Sequence, residues 1–331
     1  MREELATSLA CPDCGSSLAL TAERRANGEV IDGSLRCRCG EGFPVRRGIP
    51  RLNRAMSGLV EVAEGFSHEW RAHHAGELER DTVFGRTPED EWRHFIEGTG
   101  LCSDALAGAR VLDVGCGSGS LARQVAANGA GLVVALDMNE AVDELFKRAR
   151  GQANLHVVQA NLLALPFPER SFDVVWCCGV IHHTPDAAAA FAALTRQVRP
   201  GGLLYIWVYP RRFNPFRATK DVLEKVGLRR LSPREILRLA KVISYPSLAL
   251  HWLYRLVRRL PGLQPRGAWA ARTVKPRTLG EVQMSWNDAL TPRYDSRHSE
   301  EEVIGWFRAA GFGDLTVLGE PRLGVRGTAP R

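Results

Sequence analysis

Short apolar runs alternate with amphipathic segments through a long stretch of this chain, from Arg110 to Val208. The runs RVLDV, GLVVALD, LHVVQA, FDVVWCC and GGLLYIWVY predict buried strands, and the segments between them predict helices. Strands that are joined by helices lie parallel because their crossovers are right-handed. The later runs DLTVLGE and RLGVRGTA predict two more strands. We therefore expect an α/β protein with a doubly wound, mostly parallel, seven-stranded sheet and a ligand site beyond the strands' carboxyl ends.

Composition divides the 331 residues into more than one unit, as the length of the chain also favours. A cysteine-rich, turn-rich stretch comes first, and aromatic-bearing helical pieces follow it. The last helix is predicted in SEEEVIGWFRAAGF, with Ser299 as its N-cap and Gly311 after its end. We predict a small β module at 1–54, a helical linker at 55–100, a core at 101–210, a basic helical cap at 211–290, and the last core helix with the final two strands at 291–331.

The positive charge of the chain is concentrated in the predicted cap. Residues 211–277 contain 17 Lys and Arg against three acids, a local charge of +14, whereas the whole chain carries +7. In SLALHWLYRLVRRL, one helical face carries Leu253, Leu256, Val257 and Leu260, and Arg255, Arg258 and Arg259 lie elsewhere. This pattern fits a helix on a membrane or lipid, an RNA-facing patch, or a solvated cap that attracts an acidic substrate. We favour the cap.

Neither a signal sequence nor a membrane span is expected from the sequence. The first fifteen residues contain no apolar core of a signal peptide, and no segment reaches the roughly 18 uninterrupted apolar residues of a spanning helix. We therefore expect a cytoplasmic protein. Eight cysteines, four of them clustered, favour a metal site plus free thiols over a disulfide framework.

The run VLDVGCGSGS ends a predicted strand in three glycines and leads into a helix. Such a turn lets a ligand approach the backbone closely and presents a helix N-terminus to it. A dinucleotide site would have glycine or alanine where this chain has Ser120, and Asp113 lies just before the turn, where a carboxylate suits a cationic amine. Asp137 closes the next strand, where it can accept both hydroxyls of a ribose. An adenosine cofactor fits this pattern.

The stretch from VLDVGCGSG through LDMN, ANLLALPFPERSFDVV and GVIHHTPD to RPGGLLYI resembles the Rossmann-like class I S-adenosylmethionine-dependent methyltransferases. The resemblance implies that Asp113 and the glycine turn hold the methionine moiety, that Asp137 binds the ribose, and that Met138 packs on the adenine. Asn161 replaces the family's usual acid, and its amide oxygen can still accept from the adenine amino group. The predicted cofactor-binding residues are Asp113, Gly115, Cys116, Gly117, Gly119, Asp137, Met138, Asn161, Leu162 and Cys178.

Two cysteine pairs near the N-terminus, in CPDCG and RCRCG, predict a structural zinc site of Cys11, Cys14, Cys37 and Cys39. Four thiolates leave no open position, so such a metal is not catalytic. The stretch resembles the zinc-ribbon modules that precede some methyltransferase domains, and FPVRRGIPRL matches their exit strand. A redox role for CPDC is the alternative, but the strand-to-helix setting of a thioredoxin-like site is missing.

Residues near the predicted rim of the sheet are candidates for binding the methyl acceptor. His182 and His183 follow the fourth strand, and we predict His183 as a general base because imidazole titrates near neutral pH; a structural role is the alternative. The segment SWNDALTPRYDSRHSEEEV precedes a core helix and would lie over the same rim, unless it is a solvated loop. Trp70 is a weaker candidate to cover the cofactor. The predicted substrate-binding residues are His182, Tyr209, Arg293, Tyr294 and His298.

Together these observations predict an S-adenosylmethionine-dependent methyltransferase that acts on a small-molecule or glycan- or lipid-linked acceptor, because a cap encloses a small acceptor. An anionic or lipid-linked substrate could be attracted by the basic cap. An RNA base methyltransferase is the alternative within enzymes, although CCGV stands where an amino-methylation motif would be. A non-catalytic nucleoside-binding scaffold is the alternative from another class.

Overall fold

The computed structural model describes residues 1–53, 59–79, 82–211, 215–257, 277–318 and 323–331. Arg258, Arg259 and Leu260, which belong to the predicted amphipathic helix of the cap, lie outside the described residues. The boundary that was predicted between residues 54 and 55 lies outside them as well. In the part of the chain that the structure describes, no helix combines the length and the apolar character that a bilayer crossing requires.

A mostly parallel sheet forms the centre of the molecule, as predicted. Seven of its strands have the order β7-β6-β5-β8-β9-β11-β10; the first five of these are parallel, and β11 runs antiparallel to both neighbours. Their side chains are largely buried because helices cover both faces. The strands are β1 Leu18–Ala26, β2 Glu29–Cys37, β3 Gly42–Arg46, β4 Ile49–Leu52, β5 Arg110–Val114, β6 Leu132–Asp137, β7 Leu155–Ala160, β8 Phe172–Cys178, β9 Val198–Val208, β10 Gly313–Leu318 and β11 Leu323–Thr328.

The N-terminal module extends this sheet. Strands β1 to β4 form an antiparallel meander, and β4 then pairs in parallel with β7, so that one sheet of eleven strands results. The Arg51 guanidinium stabilises the pairing of β4 with β7, because it donates to Asp143 at 2.8 Å and to Gln159 at 2.7 Å. The prediction of seven strands for the core is confirmed, and the sheet is longer because the module supplies an edge partner.

The helices begin at recognisable caps. Thr87, Thr278 and Ser299 each form a capping box at a helix N-terminus, and Ser299 is therefore confirmed as the predicted N-cap. The helices are α1 Glu3–Thr7, α2 Leu59–His74, α3 Pro88–Thr99, α4 Ser103–Leu106, α5 Ser120–Ala127, α6 Ala141–Arg148, α7 Ala187–Thr195, α8 Pro215–Lys225, α9 Pro233–Val257, α10 Leu279–Leu290 and α11 Glu300–Ala309.

In the described residues between β9 and α11, the chain forms helices α8, α9 and α10, and α10 lies near the carboxyl ends of the strands. Helix α9 lies on α10, and both contact α2. Ile236, Ala240, Val282, Trp286 and Leu290 form a buried apolar cluster between these helices. Burial of this cluster stabilises the cap by the hydrophobic effect. The cap thereby brings α10 over the rim where the sequence placed the ligand site.

Candidate functional site

The glycine turn has the backbone geometry that its sequence predicts. Strand β5 ends at Val114, and Gly115, Gly117 and Gly119 have positive φ values of 74°, 52° and 69° before α5 begins. A Cβ atom at Gly117 would collide with the Trp70 ring, so the close approach also requires glycine. The Gly117 N–H donates to Oδ2 of Asp137 at 2.9 Å. Neighbouring strands β5 and β6 thus fix the turn together.

A cavity of about 370 Å³ lies beside this turn. Its volume falls within the range of about 300–1,000 Å³ that small-molecule sites have. The turn and the ends of β5 and β8 form one side, the residues before and in α3 form a second side, and the end of β9 with α10 forms the third. Trp70 from α2 closes the wall over Gly117. The cavity is therefore at the carboxyl ends of the parallel strands.

Asp113 presents a buried carboxyl group to the cavity. Its side chain is only 5% exposed, and no hydrogen-bond donor to it is found among the described residues. Burial, together with the nearby charges of Glu91 and Asp137, raises the pKa of Asp113 to about 8. A cationic amine beside Asp113 would offset this cost, because an opposite charge favours the ionised carboxylate. The donor set therefore fits the ammonium group of an amino acid.

The predicted cofactor residues divide into two groups. Asp113, Gly115, Cys116, Gly117 and Cys178 line the cavity. The other five lie behind the cavity wall. Gly119 faces Leu145, and Asp137 and Leu162 are buried, with 7% and 8% exposure. The Met138 carbonyl accepts a hydrogen bond from Asn53 at 2.9 Å, and the Asn161 amide oxygen accepts one from the Leu163 N–H at 2.9 Å. The roles of all ten stay predictions.

At the far side of the cavity, Tyr209 meets Asp288, which belongs to the segment SWNDALTPRYDSRHSEEEV that was predicted to lie over the same rim. The Tyr209 hydroxyl donates to Oδ2 of Asp288 at 2.9 Å, and both side chains line the cavity. Burial is the main cause that raises the pKa of Asp288 above its usual range. Burial also raises the pKa of Tyr209, and the Asp288 charge adds to it. The phenol consequently stays protonated and holds Asp288 in place.

The two histidines lie behind Tyr209. The rings of His182 and Tyr209 are 4.0 Å apart, and neither ring nitrogen of His182 has a hydrogen-bond partner among the described residues. The Nδ1 of His183 donates to the Tyr294 carbonyl at 3.0 Å, which leaves Nε2 as the basic nitrogen. Burial lowers the pKa of His183, and the charge of Asp288 opposes that shift. His183 therefore has the tautomer of a base.

The remaining predicted acceptor residues make contacts outside the cavity wall. Arg293 is ion-paired with Glu61 at the surface, and Tyr294 supplies its backbone carbonyl to His183. His298 contacts Glu302 at 2.9 Å through Nδ1. Their roles in acceptor binding stay predictions.

Helix α3 and the turn before it contribute polar groups that the sequence analysis missed. Arg86 donates to Nδ1 of His94 at 3.2 Å, and Nε2 of His94 then donates to the Tyr205 hydroxyl at 2.8 Å. Arg86, Glu91 and His94 all line the cavity. No local motif marks these residues, because their position depends on how α3 docks on the sheet.

The four clustered cysteines converge, as predicted. Their sulfur atoms all lie within 4.8 Å of one another, with Cys11 and Cys39 at 3.8 Å and Cys14 and Cys37 at 3.3 Å. A tetrahedral zinc ion with Zn–S bonds of about 2.3 Å separates its sulfur ligands by about 3.8 Å. The arrangement therefore fits zinc. No other cluster of this kind is found within the described ranges.

Comparison with known proteins agrees with this geometry, since residues 112–206 match the family described as a methyltransferase domain. The matched residues run from β5 to β9 and include the glycine turn. Over 105 residues the chain is 41% identical to a ubiquinone biosynthesis O-methyltransferase of Pseudomonas putida, which covers 30% of this chain and 44% of that protein. A protein of the same description from Pseudomonas fluorescens is 36% identical over 133 residues, or 39% of this chain and 56% of that protein.

The chain spans about half the length of these curated relatives. Among solved structures, a magnesium protoporphyrin IX methyltransferase from Synechocystis is similar with 17% identity and a TM-score of 0.45, over 82% of this chain and 99% of that chain. The residues that match the family model, 112–206, form the central strands β5 to β9 of the sheet.

Proposed function

We propose that this chain is an enzyme that transfers a methyl group from S-adenosylmethionine to a small-molecule acceptor bound in the cavity. The observation that carries the proposal is the buried carboxyl group of Asp113 beside the glycine turn, to which no described residue donates, with the Tyr209–Asp288 pair on the other side of the same cavity. Asp113 would bind the cofactor's amine and the turn would contact its methionine part. Asp137 is expected to accept the ribose hydroxyls with its remaining lone pairs.

When bound, S-adenosylmethionine supplies a methyl group on a positively charged sulfur that is already activated for displacement. The protein's task is then to align the acceptor and to remove its proton where it has one. Phe84, Trp176 and Trp207 give the cavity aromatic walls, which suit a planar or apolar acceptor and exclude water from it. Such walls favour a small acceptor over a folded macromolecule.

We propose that the acceptor's proton passes to Asp288, which lines the cavity, and that His183 stabilises the change of charge from behind it. In this proposal Asp288 is the general base, and His183, which the sequence predicts as the base, acts through Asp288. The electrostatic coupling between His183 and Asp288 supports this arrangement. An anionic or lipid-linked acceptor is proposed because the cap is basic. A cytoplasmic location stays a prediction.

We also propose that Cys11, Cys14, Cys37 and Cys39 bind one structural zinc ion. The sulfur separations support it, and a module of this size buries too little apolar surface to be stable by itself. The five predicted domain segments are retained as part of this proposal.

Equilibrium titration with S-adenosylmethionine tests the binding step. We expect saturable binding by the wild-type chain, weaker binding by at least about ten-fold in Asp113→Asn, since a charge-assisted hydrogen bond contributes roughly 1.5–3 kcal/mol, and a loss in Asp137→Ala. Asp314→Asn is the matched control because Asp314 is exposed on β10, and asparagine tolerates its left-handed backbone, φ 49°. Absence of binding would refute the proposal.

Transfer is tested by incubating the enzyme with methyl-labelled cofactor and a lysate that is then separated into small-molecule, lipid and RNA fractions. We expect label in a small-molecule or lipid fraction. Label in RNA alone would establish the nucleic-acid alternative instead, and binding without any labelled product would establish the scaffold.

A further inference from the structure

The outward face of α9 is apolar. Among the described residues, six of the nine exposed large hydrophobic side chains lie on this one helix. They recur at intervals that keep them on one side of an α-helix, so they form a continuous stripe about 21 Å long at 1.5 Å per residue. The stripe consists of Val242 at 66% exposure, Tyr245 at 61%, Leu250 at 66%, Trp252 at 48%, Leu253 at 56% and Leu256 at 59%.

The stripe is not needed to hold α9 in place. The opposite face of the helix carries Ile236, Leu237, Ala240 and Ser244, which are 8% exposed or less and pack toward the rest of the protein. A helix that packs by one face ordinarily has polar residues on the other. A second, exposed apolar face therefore marks an interaction surface.

Basic side chains accompany the stripe. Arg234 and Arg238 are exposed one to two turns before Val242 on the same side of α9, and the Arg255 guanidinium lies 5.1 Å from the centre of the Trp252 ring. The surrounding segment 211–277 has a charge of +14. A second copy of the chain would bring the same positive charge against this face, so charge complementarity favours an anionic partner.

We propose that the stripe of α9 docks on the surface of a membrane that contains anionic lipids. Apolar side chains flanked by arginine and lysine are what a helix needs to lie in the plane of a bilayer interface, with its apolar face in the acyl boundary and its cations among the headgroups. Tryptophan and tyrosine suit the same depth, since their rings are amphipathic.

Docking in this way places the cap, and not the sheet, against the lipid. Helix α9 packs on α10, which contributes Ser285 and Asp288 to the cavity. The cavity is thus one helix away from the docking face, where an amphiphilic acceptor would be concentrated. This consequence rests on the proposed methyl transfer, whereas the docking itself does not.

Co-sedimentation of the full chain with vesicles tests the proposal. We expect at least ten-fold tighter binding to vesicles of phosphatidylcholine with one quarter phosphatidylglycerol than to pure phosphatidylcholine, and weaker binding at 0.5 M salt than at 0.1 M salt because the charges are screened. No binding, or equal binding to both vesicles, would overturn the proposal.

Two sets of variants distinguish the contribution of the apolar stripe to membrane binding from the contribution of the basic side chains. Leu253→Glu with Leu256→Glu should lose at least ten-fold of the binding, and Arg234→Gln with Arg238→Gln should lose a smaller factor. Val60→Glu is the control, because Val60 is 47% exposed on α2 outside the stripe. The melting temperature and S-adenosylmethionine affinity of each variant show whether it folds, independently of membrane binding.

Two outcomes would assign the stripe to another role. If the glutamate variants bind vesicles like the wild-type chain, the basic charge acts alone and the apolar stripe is not a docking face. If ultracentrifugation shows a wild-type dimer that Leu253→Glu dissociates, and vesicle binding is absent, the occupant is a second copy of this chain.

Discussion

A buried carboxyl group makes the folded state sensitive to pH at Asp113. Because its pKa is about 8 in the folded protein and near 3.8 in an unfolded chain, the folded state holds the extra proton between these values. The contribution of Asp113 to stability therefore falls as pH rises from about 4 to about 8. We expect Asp113→Asn to lose less free energy of unfolding than the wild-type chain between pH 5 and pH 8, measured by urea denaturation.

The exposed control Asp314→Asn should retain the wild-type slope. Glu91 and Asp137 also have a raised pKa through burial, so part of the pH dependence remains in Asp113→Asn. Identical slopes for Asp113→Asn and the wild-type chain would show that Asp113 is ionised in the free protein.

The proton path is tested by comparing Asp288→Asn with His183→Ala. We expect Asp288→Asn to lower turnover by about 10²-fold, since general base catalysis contributes roughly 10²–10⁴-fold, and His183→Ala to lower it by a smaller factor. Neither change should alter S-adenosylmethionine affinity, because both residues lie on the acceptor side. The measurement is the initial rate with the labelled acceptor fraction; unchanged turnover in Asp288→Asn would leave His183 as the base.

Residues within one motif were predictable, whereas the contacts that packing forms between distant segments were not. Asp113 and the glycine turn adjoin in sequence, so the pattern alone placed them. Asp288 is 79 residues from Tyr209, and only the docking of α10 on the core joins them. The same holds for Arg86 and His94, which reach the cavity through α3.

At the scale of elements, the cysteine module depends on its metal. We expect one zinc ion per chain by elemental analysis, and we expect Cys37→Ser to lose the ion and to lower the melting temperature. This variant removes one ligand from a closed tetrahedral site. It should lower stability because the free energy of zinc binding contributes to the free energy of folding in such modules. Cys102→Ser is the control, since Cys102 is exposed and outside the cluster. A chain that folds equally well without zinc would contradict this.

The strands and helices of the core could be predicted from hydrophobic periodicity, because patterns of period 2 and period 3.6 involve residues that are close in sequence. The pairing of β4 with β7 could not be predicted in this way, since it joins residues more than a hundred positions apart and β4 is only four residues long. The module and the core, which were predicted as separate segments, therefore share one sheet.

This shared sheet predicts how the whole molecule unfolds. Arg51 bridges β4 to Asp143 and Gln159, the Arg2 guanidinium donates to the Ala153 carbonyl at 2.6 Å, and the Ala10 N–H donates to the Pro166 carbonyl at 2.8 Å. The module and the core are therefore joined at several places. We expect calorimetry to show that a chelator lowers the transition of the core together with that of the module. Arg51→Met removes the bridge and should separate the two transitions, whereas Arg24→Met, at an exposed ion pair within the module, should not. Two independent transitions in the wild-type chain, with only one sensitive to the chelator, would show that the module folds alone and that β4 merely rests against the sheet edge.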